Sequence, residues 1–226
     1  MLSLQGVRYA WPGAAGDCLD IEALQVEAGR TVFLHGPSGC GKSTLLGLMA
    51  GVLVARSGSV KLLGQDWAQL RGGRRDARRV DHVGVIFQQF NLLPYLTVLD
   101  NVLLPCRFSG LRASRCVDSP AAAARLLLQR VALPAPLWSR RADALSVGQQ
   151  QRVAAARALI GTPEIVIADE PTSALDAARR DDFMALLMDA CAAAGSTLVF
   201  VSHDERLAGR FDQRLSLPEL NRAAGE

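Results

Sequence analysis

Four stretches of the chain are apolar without interruption: Thr31-Val32-Phe33-Leu34, Val83-Gly84-Val85-Ile86-Phe87, Ile165-Val166-Ile167-Ala168 and Thr197-Leu198-Val199-Phe200-Val201. Runs this short and this rich in β-branched residues predict strands buried on both faces, as in a parallel sheet covered by helices. Each stops at polar residues: the first at a glycine-rich loop from Gly36, the second at Gln88, the third at Asp169-Glu170, the fourth at Ser202-His203. Ligands of open α/β sheets sit outside the carboxyl ends of the strands, so one parallel sheet would gather these groups along one rim. Elsewhere the pattern changes. Leu2 to Val7 and Leu19 to Val26 alternate apolar and polar, which predicts an antiparallel start, and Ser57 to Gly64 predicts a turn and a short strand. From Leu92 to Ala144 the texture is helical, with stretches such as Ala121 to Val131 separated by Pro105, Pro120, Pro134 and Pro136. Cys106 to Ser119 reads as a loop with a short helix.

Composition adds limits. With 226 residues, half of them hydrophobic, the chain can form one compact α/β domain. A formal net charge of +3 does not mark a nucleic-acid binder. The densest basic run, Arg71 to Arg79 (RGGRRDARR), fits a nucleic-acid or acidic-lipid patch; its Asp76 and helical spacing favour a solvated helix face. His35 and His82 read as structural or surface residues. The five cysteines lack metal-type spacing and read as small core or surface residues, and the N-terminus carries no secretion pattern. Leu45 to Ala55, the longest apolar patch, is too short to span a bilayer.

The loop Gly36-Pro37-Ser38-Gly39-Cys40-Gly41-Lys42-Ser43-Thr44 carries the most specific chemistry. It follows a strand and opens a helix, the context in which G-x-x-x-x-G-K-[ST] cradles phosphates. Its glycines allow successive N–H groups to point at one anion, and the helix dipole adds to that field. Lys42 would reach the β- and γ-phosphate oxygens, and the Ser43 hydroxyl would ligate Mg²⁺.

Two further features are open in their meaning. Ser146 begins a helix as N-cap with Gln149 as its capping-box partner, while Gly148 in the first turn is a poor helix former; the pair reads either as plain capping or as a second phosphate site. Tyr9 and Trp11 are scarce aromatics that could pack or stack on a purine base.

In this order the pieces resemble the ATP-binding cassette (ABC) ATPase family over essentially the whole chain. Gly36 to Thr44 resembles the Walker A loop, Gln88 the Q-loop, Leu145 to Gln149 the signature motif, Ile165 to Asp169 Walker B with Glu170 following, Ser173 to Asp176 the D-loop, and His203 the switch histidine. The resemblance implies a P-loop NTPase α/β core with an antiparallel β subdomain (residues 1–90 and 160–226) and an inserted helical subdomain (residues 91–159). It implies a Mg²⁺-dependent ATPase with ATP between two copies, where Walker A of one copy faces Ser146, Gly148 and Gln149 of the other. Ser43, Gln88 and Asp169 would hold the metal, Glu170 and His203 with Lys42 would act on the γ-phosphate, Asp176 would couple the sites, and Trp11 would be the favoured adenine platform. Val147 departs from the usual signature, which reads LSGGQ. FNLLPYLTVLDNVLLP after Gln88 is similar to the subgroup of lipoprotein-release, macrolide-export and cell-division ATPases. The implied partner is an integral membrane permease, with the chain peripheral on the cytoplasmic face of the inner membrane and no direct nucleic-acid contact. The other reading is a soluble ABC-family ATPase acting on nucleic acid or ribosomes.

Overall fold

The computed structural model describes residues 1–173 and 176–223. The chain begins with β1 (Leu2–Tyr9) and β2 (Leu19–Val26), paired antiparallel from Leu2 opposite Val26 to Tyr9 opposite Leu19. Next come β3 (Thr31–His35), α1 (Lys42–Met49), β4 (Ser57–Leu62) and the two-residue β5 (Gln65–Asp66). After α2 (Gly72–His82) and β6 (Val83–Ile86) lie the helices α3 (Val98–Phe108), α4 (Gly110–Ser114), α5 (Pro120–Arg130) and α6 (Val147–Leu159). The chain continues through β7 (Ile165–Asp169), α7 (Ala177–Ala194), β8 (Thr197–Val201), β9 (Gln213–Ser216) and α8 (Leu217–Leu220).

All four apolar runs lie in one parallel sheet of order β6-β7-β8-β3-β9. The edge strand β9 carries only Leu215 as a buried apolar residue, which is why no run announces it. A second, antiparallel sheet has the order β2-β1-β4-β5. Successive side chains of the parallel strands face opposite ways. Phe33, Val166, Ala168, Leu198 and Phe200 meet the core built with α3, α5, α6 and α7. Val32, Leu34, Ile165, Ile167, Val199 and Val201 meet the core shared with α1 and the antiparallel sheet. Both faces are therefore apolar, and the strands read as unbroken hydrophobic runs.

Two expectations are corrected. Phe87 lies beyond β6 and is 43% exposed, because the strand gives way to a turn closed by Phe90 N–H on Phe87 O at 2.9 Å. Pro105 does not end a helix: α3 runs through it to Phe108. It removes one N–H from the ladder, while Ser109 N–H still reaches Pro105 O at 2.9 Å.

The end of α6 is fastened to the sheet. A Cβ on Gly84 would stand 2.3 Å from the carbonyl oxygen of Ala158, so only glycine lets α6 approach β6 this closely. The buried Arg112 donates to Ala158 O at 2.6 Å and Ile160 O at 2.7 Å, a cation at a helix C-terminus. Burial pulls its pKa down to about 10, which leaves it charged at neutral pH.

Candidate functional site

The glycine-rich loop joins β3 to α1, as its sequence context requires. Gly41 stands at φ 101°, a left-handed geometry that glycine adopts without strain, and a Cβ there would press on Leu19 Cδ2 at 3.0 Å. At Gly36 a Cβ would meet Cys40 Sγ at 2.8 Å. Lys42 is 9% exposed, and its ammonium donates to the carbonyls of Gly36 and Pro37, both at 2.9 Å. Pro37, Ser38 and Gly39 are exposed at the tip of the loop, whereas Thr44 is buried and hydrogen-bonded to Cys18.

Beside the loop, Ser43 Oγ donates to Asp169 Oδ2 at 3.2 Å. Asp169 closes β7, and its carboxyl is pushed up by burial and by the Glu170 charge, against the Ser43 hydrogen bond and Lys42. The next residue, Glu170, has φ 44°, rare for a residue with a side chain, and its N–H is held by Val201 O at 3.1 Å. From β8, His203 places Nδ1 3.6 Å from Glu170 Oε2. Its loop is pinned by Asp204, which pairs with Arg206 and Arg180 and whose carboxyl is held well below the usual range by the Arg206 hydrogen bond. Loop, metal-type oxygens, Glu170 and His203 thus share the carboxyl rim of one sheet. A cavity of about 390 Å³ opens there between Gly36, Pro37 and His203.

The remaining candidates lie apart from this cluster. Gln88 is exposed on the turn after β6, and among the described residues its side chain makes no hydrogen bond to Ser43 or Asp169. Ser146 and Gln149 form the full capping box, with Ser146 N–H on Gln149 Oε1 at 3.0 Å and Gln149 N–H on Ser146 Oγ at 3.4 Å. They line a different cavity, of about 540 Å³, with Val147 and Gly148, and it shares no lining residue with the one at Gly36. A Cβ on Gly148 would meet nothing within 4 Å, and Val147 is 49% exposed. Nothing in the chain's own packing requires glycine at 148. Asp176 caps α7 through Arg179 N–H at 3.0 Å; Ala174 and Leu175, between it and Ser173, lie outside the described residues. Trp11 is 48% exposed and stands edge-on to the buried Tyr9 at 5.3 Å, so of the two rings Trp11 has the free face.

Residues that the sequence pattern did not single out support these loops. Arg157, late in α6, donates to Phe90 O at 2.5 Å and Asn91 O at 2.7 Å, fixing two residues with left-handed backbone just after Gln88. The buried Gln151 donates to Pro171 O at 2.7 Å, just after Glu170. Both look like ordinary polar positions of a helix in the sequence, because their acceptors are backbone carbonyls distant along the chain.

A strand, a glycine loop with an inward lysine, a helix and an acid-ended neighbouring strand define a P-loop NTPase, a class that binds nucleotide phosphates. Residues 19–173 match the sequence profile of the ABC transporter family. The chain belongs to that family. It is 41% identical over 194 residues to the ABC transporter ATP-binding protein YbbA of Escherichia coli K12, covering 86% of this chain and 83% of YbbA. It is 40% identical over 213 residues to the ABC transporter ATP-binding protein Rv2564 of Mycobacterium tuberculosis H37Rv, covering 93% of this chain. The match spans only 62% of the length of Rv2564. Among solved structures it is similar to the ATP-binding cassette MJ0796, determined as a dimer in a post-hydrolysis state bound to ADP and Pi. That match has a TM-score of 0.85 and 34% identity, and it covers 99% of this chain and 98% of the other.

Proposed function

We propose that this chain is the ATP-hydrolysing subunit of an ABC-type membrane complex, working as a head-to-tail homodimer on a separate permease. The observation that carries the reading is the contact between Ser43 and Asp169, which sets two hard oxygen donors at the mouth of the phosphate loop. Mg²⁺ fits this donor set, because a half-buried carboxylate that burial disfavours gains a cation partner. Ser43 and Asp169 would hold it with the ATP phosphates, and Gln88 would join as its turn approaches. A bound Mg²⁺ supplies charge neutralisation on the phosphates.

The chain's own groups divide the remaining work. Amides of Gly39 to Ser43 and the Lys42 ammonium bind the β- and γ-phosphates, and Trp11 stacks on adenine. Glu170 orients the attacking water and accepts its proton. His203 has Nδ1 toward Glu170, which leaves Nε2 to hold the γ-phosphate.

Gly148 supports the dimer reading. A bare backbone at a helix N-terminus that packing does not need is explained by a phosphate brought by a second copy, as is the exposed capping box at Ser146 and Gln149. Asp176, exposed at the start of α7, would then face the partner site. Among the described residues no helix is long and apolar enough to cross a membrane; coupling to transport would use a membrane partner, with the chain peripheral on the cytoplasmic face as the family resemblance implies. The export-type subgroup resemblance rests on FNLLPYLTVLDNVLLP after Gln88.

The test is phosphate release by the purified chain with ATP, with and without Mg²⁺, followed by affinity isolation from detergent-solubilised membranes. Mg²⁺-dependent hydrolysis and a co-isolated polytopic protein are expected. No hydrolysis under either condition overturns the enzyme reading, and isolation with ribosomes or nucleic acid in place of a membrane protein overturns the transport reading.

A further inference from the structure

We infer that Cys106 and Cys116 form a modification site: a dithiol that a hydroperoxide closes to a disulfide and a thiol reopens, bracing the segment between them. The inference stands apart from the proposed nucleotide chemistry.

The cysteines read from the sequence as small packing or surface residues, yet the fold brings two of them together. Cys106, in the last turn of α3, and Cys116, just after α4, have their sulfurs 3.7 Å apart. Among the described residues no other two cysteine sulfurs are in hydrogen-bond contact. Shortening this contact to the roughly 2.05 Å of a disulfide moves each sulfur by about 0.8 Å, a displacement on the scale of side-chain torsion.

Their neighbours give the two sulfurs different roles. Cys116 donates its S–H to Arg112 O at 3.3 Å, so between the thiols Cys106 is the donor and Cys116 the acceptor. Burial, and next the Cys116 beside it, push the Cys106 thiol up to about 12, so it keeps its proton at neutral pH. Cys116 lines a cavity of about 360 Å³ together with Val117 and Leu126, both exposed. It therefore meets a small oxidant first. The buried Arg112 guanidinium interacts with both sulfurs and supplies the positive charge against which a thiolate can form.

The chemistry is a two-electron oxidation. The Cys116 thiolate attacks an oxygen of the hydroperoxide, the O–O bond breaks, and the alkoxide or hydroxide leaves with the proton that Cys116 gave up. A sulfenic acid remains. The Cys106 sulfur then attacks the Cys116 sulfur, the S–O bond breaks, and hydroxide leaves as water with the Cys106 proton. Two thiols and one hydroperoxide thus give one disulfide, one water and one alcohol, or a second water when the oxidant is hydrogen peroxide. Dithiothreitol reverses the step by exchange and is itself oxidised to a disulfide.

The segment between the two cysteines shows what the bond would hold. Ser109 bonds Asp81 of α2, and Arg112 holds the carbonyls of Ala158 and Ile160 at the end of α6. A disulfide pins both ends of that segment and removes freedom from the unfolded chain.

The experiment treats the reduced, purified chain with hydrogen peroxide, the dose raised until a cysteine elsewhere in the chain is oxidised. Remaining thiols are alkylated, and the peptides are mapped by mass spectrometry. Trypsin cuts after Arg107, Arg112 and Arg115, so a Cys106–Cys116 disulfide appears as two peptides held together, and they should separate with dithiothreitol. Tm should rise by a few degrees on oxidation and return on reduction. In Cys106→Ser, Cys116 should stop at a sulfenic acid captured by dimedone; in Cys116→Ser, oxidation of Cys106 should slow at least about tenfold. Absence of the linked peptides from the wild-type map, or either cysteine joined to a different one, overturns the inference without recourse to a variant. Equal oxidation of Cys106 with and without Cys116 overturns the order of attack, and a Tm that does not rise overturns the bracing. None of these readouts uses nucleotide, so a failure here leaves the proposed function to its own test.

Discussion

Ser43 on α1 and Asp169 at the end of β7 are 126 residues apart in sequence and joined by a hydrogen bond of 3.2 Å. The contact ties the phosphate loop to the acid-ended strand. Removing either oxygen should therefore act on the metal before it acts on the fold. For Ser43→Ala, the Mg²⁺ concentration giving half-maximal phosphate release should rise at least about tenfold. Unchanged Mg²⁺ dependence would exclude Ser43 as a ligand.

Glu170 is held in a left-handed backbone conformation with His203 nearby. Replacing it by Gln keeps the shape and removes the base, so phosphate release should fall by about 10² to 10⁴. ATP should then accumulate in a dimer visible by gel filtration. Wild-type turnover in Glu170→Gln would remove the residue from the reaction.

Gly148 allows stability and function to be separated. Since a Cβ there meets nothing, Gly148→Ala should stabilise the isolated chain by about 0.4–1 kcal/mol, seen as a Tm rise of a few degrees. Its hydrolysis should nevertheless drop, because the methyl group lies where the second copy's phosphate is proposed to sit. Val147→Gly is the complementary change: it should cost less than about 1 kcal/mol and raise turnover or leave it unchanged. A steep loss would give the valine a positive role.

Glu164 links His82 and Arg115, at 2.9 and 2.7 Å. Burial alone would raise its carboxyl, but hydrogen bonds from Arg115 and His82 outweigh burial and lower it from its ordinary 4.5. A carboxyl lowered in the folded state adds stability that is present above its unfolded value and lost as pH falls through the folded one. Glu164→Gln should lower Tm at neutral pH, by about 1.5 kcal/mol in stability, and the difference from wild type should shrink as pH falls below the ordinary 4.5 and vanish once pH is below the lowered folded value. A gap that persists in acid would assign the effect to packing.

The parallel sheet was legible in the sequence because burial on both faces writes itself as an unbroken apolar run. The phosphate loop and the capping box were legible because each is local, with its partners within a few residues. Pro105 was misread because a single lost hydrogen bond in a packed helix costs less than the helix gains from its buried face. Arg157 and Gln151 left no signal, since each acts on a carbonyl and any residue supplies one. The resting place of Gln88 was equally hidden: a turn's direction is set by what packs around it, here Phe90 beneath and Arg157 behind.

Lys42 holds two carbonyls of its own loop, Gly36 and Pro37. On the proposed reading, entry of a phosphate there would be an exchange of acceptors: the same ammonium would give up two neutral oxygens for ionised ones. Neutral ligands gain nothing from such an exchange. A loop working in this way would discriminate by charge before shape is tested, with its lysine held by its own carbonyls until a nucleotide arrives.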